Sequence, residues 1–354
     1  MMNLTQDHVA GARNLLLNCA KLQPGETLLV ISERADLGWY DGKTAKYITQ
    51  VAEDMGIKTT LVEVGCPENV RCPQLSRQIE NHDCTIFFSR IGDQDRFSHS
   101  KAGTRSVMSY IRDMDMLASR FCATNYNAIR ALKNAIDDIL FNAHSIEITC
   151  SLGTHLKNNT PYKDNRKADV GVLRFPLGVH APMTAKNLSG TLAMDRYLAP
   201  TGSRIYEPPC LKLDTPIIAK VEMGRIFDFT GPEGTVKKVK ENYSRVAGQF
   251  DIDAAVIHSW HAGIHPGCDY DVPESDDPDR WSNTVFSMPK YVHFHTCGDY
   301  APGEISCTNE NHTIKIDDII LWKDGKLFPY AFEKTKACLY SWEELNDLFS
   351  HSAA

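Results

Sequence analysis

The chain has 354 residues, 42% of them hydrophobic and 23% charged, with a formal net charge of −7. Such a composition is that of a globular protein, the length suits about two domains, and a core of this size needs no disulfide to hold it. With 38 Lys+Arg against 45 Asp+Glu and no basic tract, nucleic acid is excluded as the main partner.

In His8–Leu22 apolar residues recur at helical spacing until Pro24-Gly25 breaks the chain. Thr27–Ser32 is a short apolar run that predicts a buried strand. Asp41–Met55 reads as a helix ended by Gly56, Lys58–Val64 and Thr85–Ser89 as strands, and Asn125–Ala143 as an amphipathic helix. Strands alternating with helices predict a parallel sheet covered on both faces. No GxGxxG or GxxxxGK occurs, so the glycines that let backbone approach a pyrophosphate are missing and no nucleotide site is expected. Past Ser145 the pattern changes. Short runs such as SIEITC, GVLRFPLG, GTLAMD, PIIAKVEMGRIFDF, AAVIHSW, YVHFHTCG and HTIKIDDIILW alternate with Gly/Pro turns, interrupted by one helical stretch, Glu233–Gln249. Residues 1–144 are therefore expected to form an α/β domain, and residues 145–354 a mostly antiparallel β-rich domain.

The 11 cysteines run from Cys19 to Cys338 without a CxxC, which suits a reducing compartment and argues against zinc ribbons and thioredoxin-type chemistry. The first residues are polar and amphipathic, and no apolar run approaches the ~18 residues of a membrane span. A soluble, cytoplasmic protein with no membrane partner is expected.

Six of the 13 histidines fall between His258 and His312. Imidazoles gather for metals or for proton transfer, and also by chance. Side chains alternate along a strand, so His293 and His295 share a face, as do Glu310 and His312 if that run is extended. Neighbouring strands could then bring imidazoles and a carboxylate together, the donor mix of non-haem Fe(II), Zn or Mn sites. His258 and His261 are three apart and converge only if the strand ends near Trp260. His258 and His293 read more readily as core or outer-layer residues. The acidic run Asp269–Asp279 lacks calcium-loop spacing and reads as a solvated loop.

FPLGVHAP, SGTLAMD and PIIAKVEMGRI, taken in order, resemble the aminopeptidase T family of metallopeptidases and its oxygenase relative, 2,5-dihydroxypyridine 5,6-dioxygenase. GIHPG at Gly263–Gly267 is similar to the family's Gly-x-Asn-Pro turn, KDGKLF at Lys323–Phe328 to its closing hairpin, and AGTRS at Ala102–Ser106 to a TGTR run of the dioxygenase. The resemblance implies a Rossmann-like N-terminal domain, a β-rich metal-binding C-terminal domain and a homo-oligomer. By register, the family's His-x-Asp ligand pair falls on Glu310 and His312, inverted in order. The ligand before the Gly-x-Asn-Pro turn falls on Ser259, with His261 able to take its place. The family's His-x-Ala-x-Gly run falls on HFHTCGD, with His293 or His295 in the histidine position.

The expected metal ligands are thus Glu310, His312, His261 and His295. Arg174 is expected to pair with a substrate carboxylate or phenolate, His180 to act as acid or base, and His265 to assist. Asp93 and Arg96 lie on a loop that could face a cleft. Few carboxylates argue for one divalent metal, Fe(II) ahead of Zn or Mn, in a dioxygenase using O2 on a small polar or aromatic substrate. The alternatives are a metal-dependent hydrolase with Glu304 or Asp299 as base, and a non-catalytic member of the fold.

Overall fold

The computed structural model describes residues 5–67, 72–93, 103–158, 160–161, 171–202, 205–299 and 303–350. Its first layer is built around apolar central strands buried on both faces. β1 (Thr27–Glu33), β2 (Lys58–Val64), β3 (Cys84–Phe88) and β4 (Arg105–Ser109) pair in parallel. Along β1, Leu28 and Val30 pack with Leu15 and Ile48 on one side, while Leu29 and Ile31 pack with Leu75 on the other. The helices supplying those residues, including Lys43–Asp54 and Pro73–Glu80, therefore lie on both faces.

The chain then leaves that sheet for β5 (Ile146–Thr149) and β6 (His155–Asn158) and returns for β7 (Leu173–Phe175), which pairs in parallel with β4. The parallel order is β2-β1-β3-β4-β7. Its last strand comes from GVLRFPLG, a run expected to join the antiparallel half, so the sheet draws on residues from both sides of position 145. Next come β8 (Met183–Thr184), β9 (Leu188–Met194), β10 (Tyr197–Pro200), β11 (Leu211–Lys212), β12 (Ile217–Glu222) and β13 (Arg225–Thr230). The Glu233–Phe250 helix precedes β14 (Ile257–Ala262), and the Pro278–Val285 helix precedes β15 (Tyr291–Thr296). β16 (Ile305–Glu310), β17 (Thr313–Ile316), β18 (Ile319–Lys323) and β19 (Lys326–Leu327) follow. These strands make a six-stranded sheet, β11-β10-β16-β15-β14-β8, and an eight-stranded one, β13-β12-β9-β6-β5-β17-β18-β19. The fold is a Rossmann-like parallel layer joined to a mostly antiparallel β-rich part.

Two hairpins turn where the sequence indicates. Met223-Gly224 and Asp324-Gly325 both take positive φ, as a two-residue hairpin requires. One apolar cluster runs from Leu15 and Leu28 through Ile148 and Leu192 to Trp260 and Trp322, across both halves.

Strand order reverses between β1 and β3, the place where open α/β sheets commonly bind ligands. Here the Arg90 guanidinium pairs with the buried Glu33 carboxylate at 2.7 Å, and the Arg90 N–H donates to the same carboxylate at 2.9 Å. Trp39 covers the guanidinium at 4.4 Å. The crevice that holds nucleotides in related topologies is filled by side chains.

Candidate functional site: a histidine-lined cleft

Cross-strand register builds the site. Ser259 lies opposite His295 and His261 opposite His293, while His293 and His295 face Thr308 and Ser306 on β16. Alternation therefore puts three imidazoles and three hydroxyls on one face. Trp260, Ala262, Phe294 and Cys307 go to the other face and into the core. The polar face lines a cleft whose other wall comes from the carboxyl ends of the parallel strands: Asp93 after β3, Tyr110 after β4 and Arg174 on β7. The Pro278–Val285 helix and the residue after it add Ser282, Asn283 and Phe286. The cleft encloses about 690 Å³, counting the part open to solvent.

The Nε2 atoms of His261 and His295 stand 2.9 Å apart. His293 stacks on His261 with ring centres 5.5 Å apart and an interplanar angle of 23°. Phe286 meets both of these rings edge-on. Burial leaves His261 8% and His293 2% exposed. It pushes His261 well below the usual histidine range, helped by the adjacent His295 and His293 and by Arg174. It takes His293 down to about 3. Both rings are therefore neutral at physiological pH, the form that can donate a lone pair.

A cation suits this donor set. Nitrogens 2.9 Å apart match two cis ligands at about 2.1 Å from one ion. His261 Nδ1 and both nitrogens of His293 are buried without a well-formed hydrogen bond, an arrangement that costs stability unless something else engages them. As the rings stand, two nitrogens converge and the third does not. Among the described residues no three His, Cys, Asp or Glu side chains already surround one point.

The expected ligand pair Glu310 and His312 does not join this group. β16 ends at Glu310, Asn311 takes a left-handed φ of 51°, and β17 begins at Thr313 in the other antiparallel sheet. The run is a corner, so the alternation argument for Glu-x-His fails. Glu310 is held by Arg196 at 3.4 Å and Lys290 at 3.3 Å. Arg196 also faces Asp195 and Glu274, and burial raises Glu274 to about 7. His312 is fully buried near Trp322, and burial lowers it to about 3.

His180 is likewise committed elsewhere. Its Nδ1–H donates to the Ala181 carbonyl at 2.6 Å, and the Ala262 N–H donates to its Nε2 at 2.9 Å. The ring sits between Trp260 and Trp322, behind the sheet. With both nitrogens engaged it braces β14 and has no lone pair to offer as acid or base. His265 is buried against Phe121 and accepts from the Gly267 N–H at 3.1 Å, away from the cleft lining. His258 bonds the Ser259 hydroxyl. Of the two expected bases, Asp299 is exposed, and the Glu304 main chain is pinned by Thr296 and Cys297. Arg174 and Asp93 do line the cleft; Arg96 and Ala102 lie outside the described residues. The acidic run is no plain solvated loop, because Asp277 caps the helix that carries Ser282 and Asn283.

Sequence reasoning undervalued His293 and missed Tyr110, Asn283 and Ser306. One signal was present: SWHA, VHFH and ISCT each alternate polar with apolar residues, in step with one another once paired.

No known family model and no curated protein matches the chain. Among solved structures it is similar to 2,5-dihydroxypyridine dioxygenase from Pseudomonas putida, with a TM-score of 0.59 and 15% identity over 93% of this chain and 98% of that one. It is also similar to AmpT from Thermus thermophilus, with a TM-score of 0.52 and 11% identity over 91% of this chain and 99% of that one. At these identities the likeness is one of fold. The expected kinship with aminopeptidase T and the dioxygenase thus holds at the level of architecture.

Proposed function

We propose that the protein is a mononuclear metal-dependent enzyme whose cation is held by His261, His295 and a reoriented His293. The observation that supports this reading is the 2.9 Å approach of two Nε2 atoms inside the cleft between the two sheets. Fe(II) is the metal proposed first, with Zn or Mn as alternatives, and the reaction is a dioxygenation of a small polar or aromatic substrate. When bound, such an ion would supply a Lewis-acidic, redox-active centre with positions open to small molecules.

The chain's own residues would do the rest. Neutral rings at His261 and His293 keep lone pairs available without a proton having to leave first. Phe286 excludes water from their edges. The Tyr110 hydroxyl, 3.3 Å from the Asp93 carboxylate, is placed to hold or pass a proton on the wall facing the histidines. A two-metal hydrolase would need bridging carboxylates. The three-histidine face has none, and Asp93 is the one carboxylate among the described lining residues. A one-metal hydrolase with Asp93 as base is the second reading.

Elemental analysis and oxygen uptake of protein purified without air provide the test. About one iron per chain, with oxygen consumed in step with substrate, is expected. Protein that works with Zn²⁺ under nitrogen would move the assignment to the hydrolase, and protein that holds none of the three metals would end it.

A further inference from the structure

A second cavity lies outside the histidine cleft, between the loop after β14, the loop before β15, the β18–β19 hairpin and the last helix, Glu343–Ser350. It encloses about 950 Å³, counting the part open to solvent, and the centre of a water-sized sphere can move through about 350 Å³ of it. An apolar cavity of ~150 Å³ already holds a benzene ring. We infer that this groove binds a free medium-chain fatty acid, with its tail on the apolar wall and its carboxylate beside Lys326. The inference goes beyond the metal-enzyme reading and does not rest on it.

Three observations carry it. The first is the wall. Pro266, Pro289 and Pro329 line the groove together with Met288, Leu327 and Phe349. Prolines bring no N–H, and main chain beside them is already paired. The Met288 N–H donates to the Val285 carbonyl at 2.9 Å, and the Met288 carbonyl accepts from the Tyr291 N–H at 3.0 Å. The Phe328 N–H donates to the Leu321 carbonyl at 2.8 Å, and the Phe328 carbonyl accepts from the Ala331 N–H at 3.1 Å. Such a wall suits apolar atoms and gives a polar body little to bond. The second is uncovered aromatic surface. Phe328 and Tyr330 also line the groove, yet stay 42% and 45% exposed. A tail laid against them removes that area from water. The third is charge. The charged lining residues are Lys290 and Lys326, and none of the described ones is acidic. Lys290 meets Glu310 at 3.3 Å, a carboxylate that Arg196 shares at 3.4 Å. Lys326 is exposed and has no ion-pair partner among the described residues. An anionic head on an apolar body answers both the wall and the lysine, whereas a cationic head would meet like charge. The net charge of −7 opposes approach to an anionic bilayer, so the acid is a free one rather than a membrane lipid.

Calorimetric titration of the full-length protein tests this with octanoate, octylammonium and acetate. The first two share a tail and differ in the sign of the head, and acetate is the head without the tail. Octanoate is expected to bind once per chain, at least about tenfold more tightly than octylammonium, with the negative heat-capacity change that marks burial of a tail. Acetate should not bind. Lys326→Gln should cut the acid's advantage over the amine at least about threefold, and Phe328→Ser should weaken both eight-carbon probes by about tenfold. His261→Ala, in the cleft, should leave octanoate affinity unchanged. Octylammonium binding as tightly as octanoate, no octanoate binding at millimolar concentration, or loss of binding in His261→Ala would overturn the inference. An unchanged octanoate affinity in Phe328→Ser would overturn it too, and so would a dimer that Phe328→Ser dissociates and octanoate does not, which would give the groove to a second copy of the chain. Should either groove variant fail to fold, the comparison of octanoate with octylammonium on the unmodified protein and on His261→Ala decides alone.

Discussion

Two imidazoles whose Nε2 atoms lie 2.9 Å apart either share one proton or grip one cation. Substitution separates the two states. His261→Ala and His295→Ala should each drop bound metal from about one per chain to a small fraction and cut activity by at least about 100-fold. Glu310→Gln, which touches only the Arg196 and Lys290 group, should keep its metal. Elemental analysis of the three variants reads this directly, and metal loss in Glu310→Gln would return the site to the 310–312 corner. A second residue-scale consequence concerns pH. His265 titrates near 6.5 when exposed and at about 3 in the fold, chiefly through burial. The folded state therefore binds fewer protons than the unfolded one between those values. Stability falls as pH drops from 6.5 toward 3, by about 1.4 kcal/mol per unit for this one group. His265→Asn should flatten that dependence, measured as urea-unfolding free energies at pH 6 and pH 4. An equally steep variant would mean that His265 is already charged in the fold.

At the scale of strands and turns, the sequence was most legible where one physical rule acts alone. Runs of five to seven residues rich in apolar or β-branched side chains gave β1, β2 and β3 almost to the residue, and Asp324-Gly325 marked its hairpin through the left-handed backbone such pairs tolerate. It was least legible where two rules compete. Glu310-Asn311-His312 looks extended, but Asn311 accepts a left-handed φ and lets the chain leave one sheet for another. The three-histidine face was half legible, because alternation fixes which residues share a face and only pairing shows which strands are neighbours. Gly263 ties these strands to the loop before β15. A Cβ there would lie 2.0 Å from the Met288 carbonyl oxygen, so Gly263→Ala must push main chain apart just beyond His261. A loss of about 1–3 kcal/mol is expected, with bound metal reduced as well. At the end of β1, Glu33→Ala would strand Arg90 in the interior, and a loss of about 3–5 kcal/mol is expected. Both are checked by denaturant unfolding.

For the whole molecule, the decisive fact is that the parallel sheet and the β-rich part share one apolar cluster, and that the parallel sheet takes its last strand from beyond residue 145. β7 completes the parallel sheet from residues 173–175, and its Arg174 faces histidines carried by the six-stranded sheet. Unfolding should therefore be a single cooperative transition by calorimetry. A fragment of residues 1–144 should not reach a stable fold, because it lacks the fifth strand and the Glu333–Ser341 helix that packs on the Tyr126–Phe141 helix. Two well-separated transitions would show instead that the halves are autonomous. Composition could not reveal this, since burial in a shared core leaves the same apolar pattern as burial in two separate ones. The Glu33–Arg90 pair has a consequence at this scale. To give this scaffold a hydride-carrying cofactor at the reversal point of its sheet, an engineer would first have to evict a carboxylate and a guanidinium that satisfy each other. That sacrifices a sizeable part of the narrow margin by which any domain stays folded. Room for new chemistry lies instead between the layers, where side chains can be exchanged without unlocking the sheet itself.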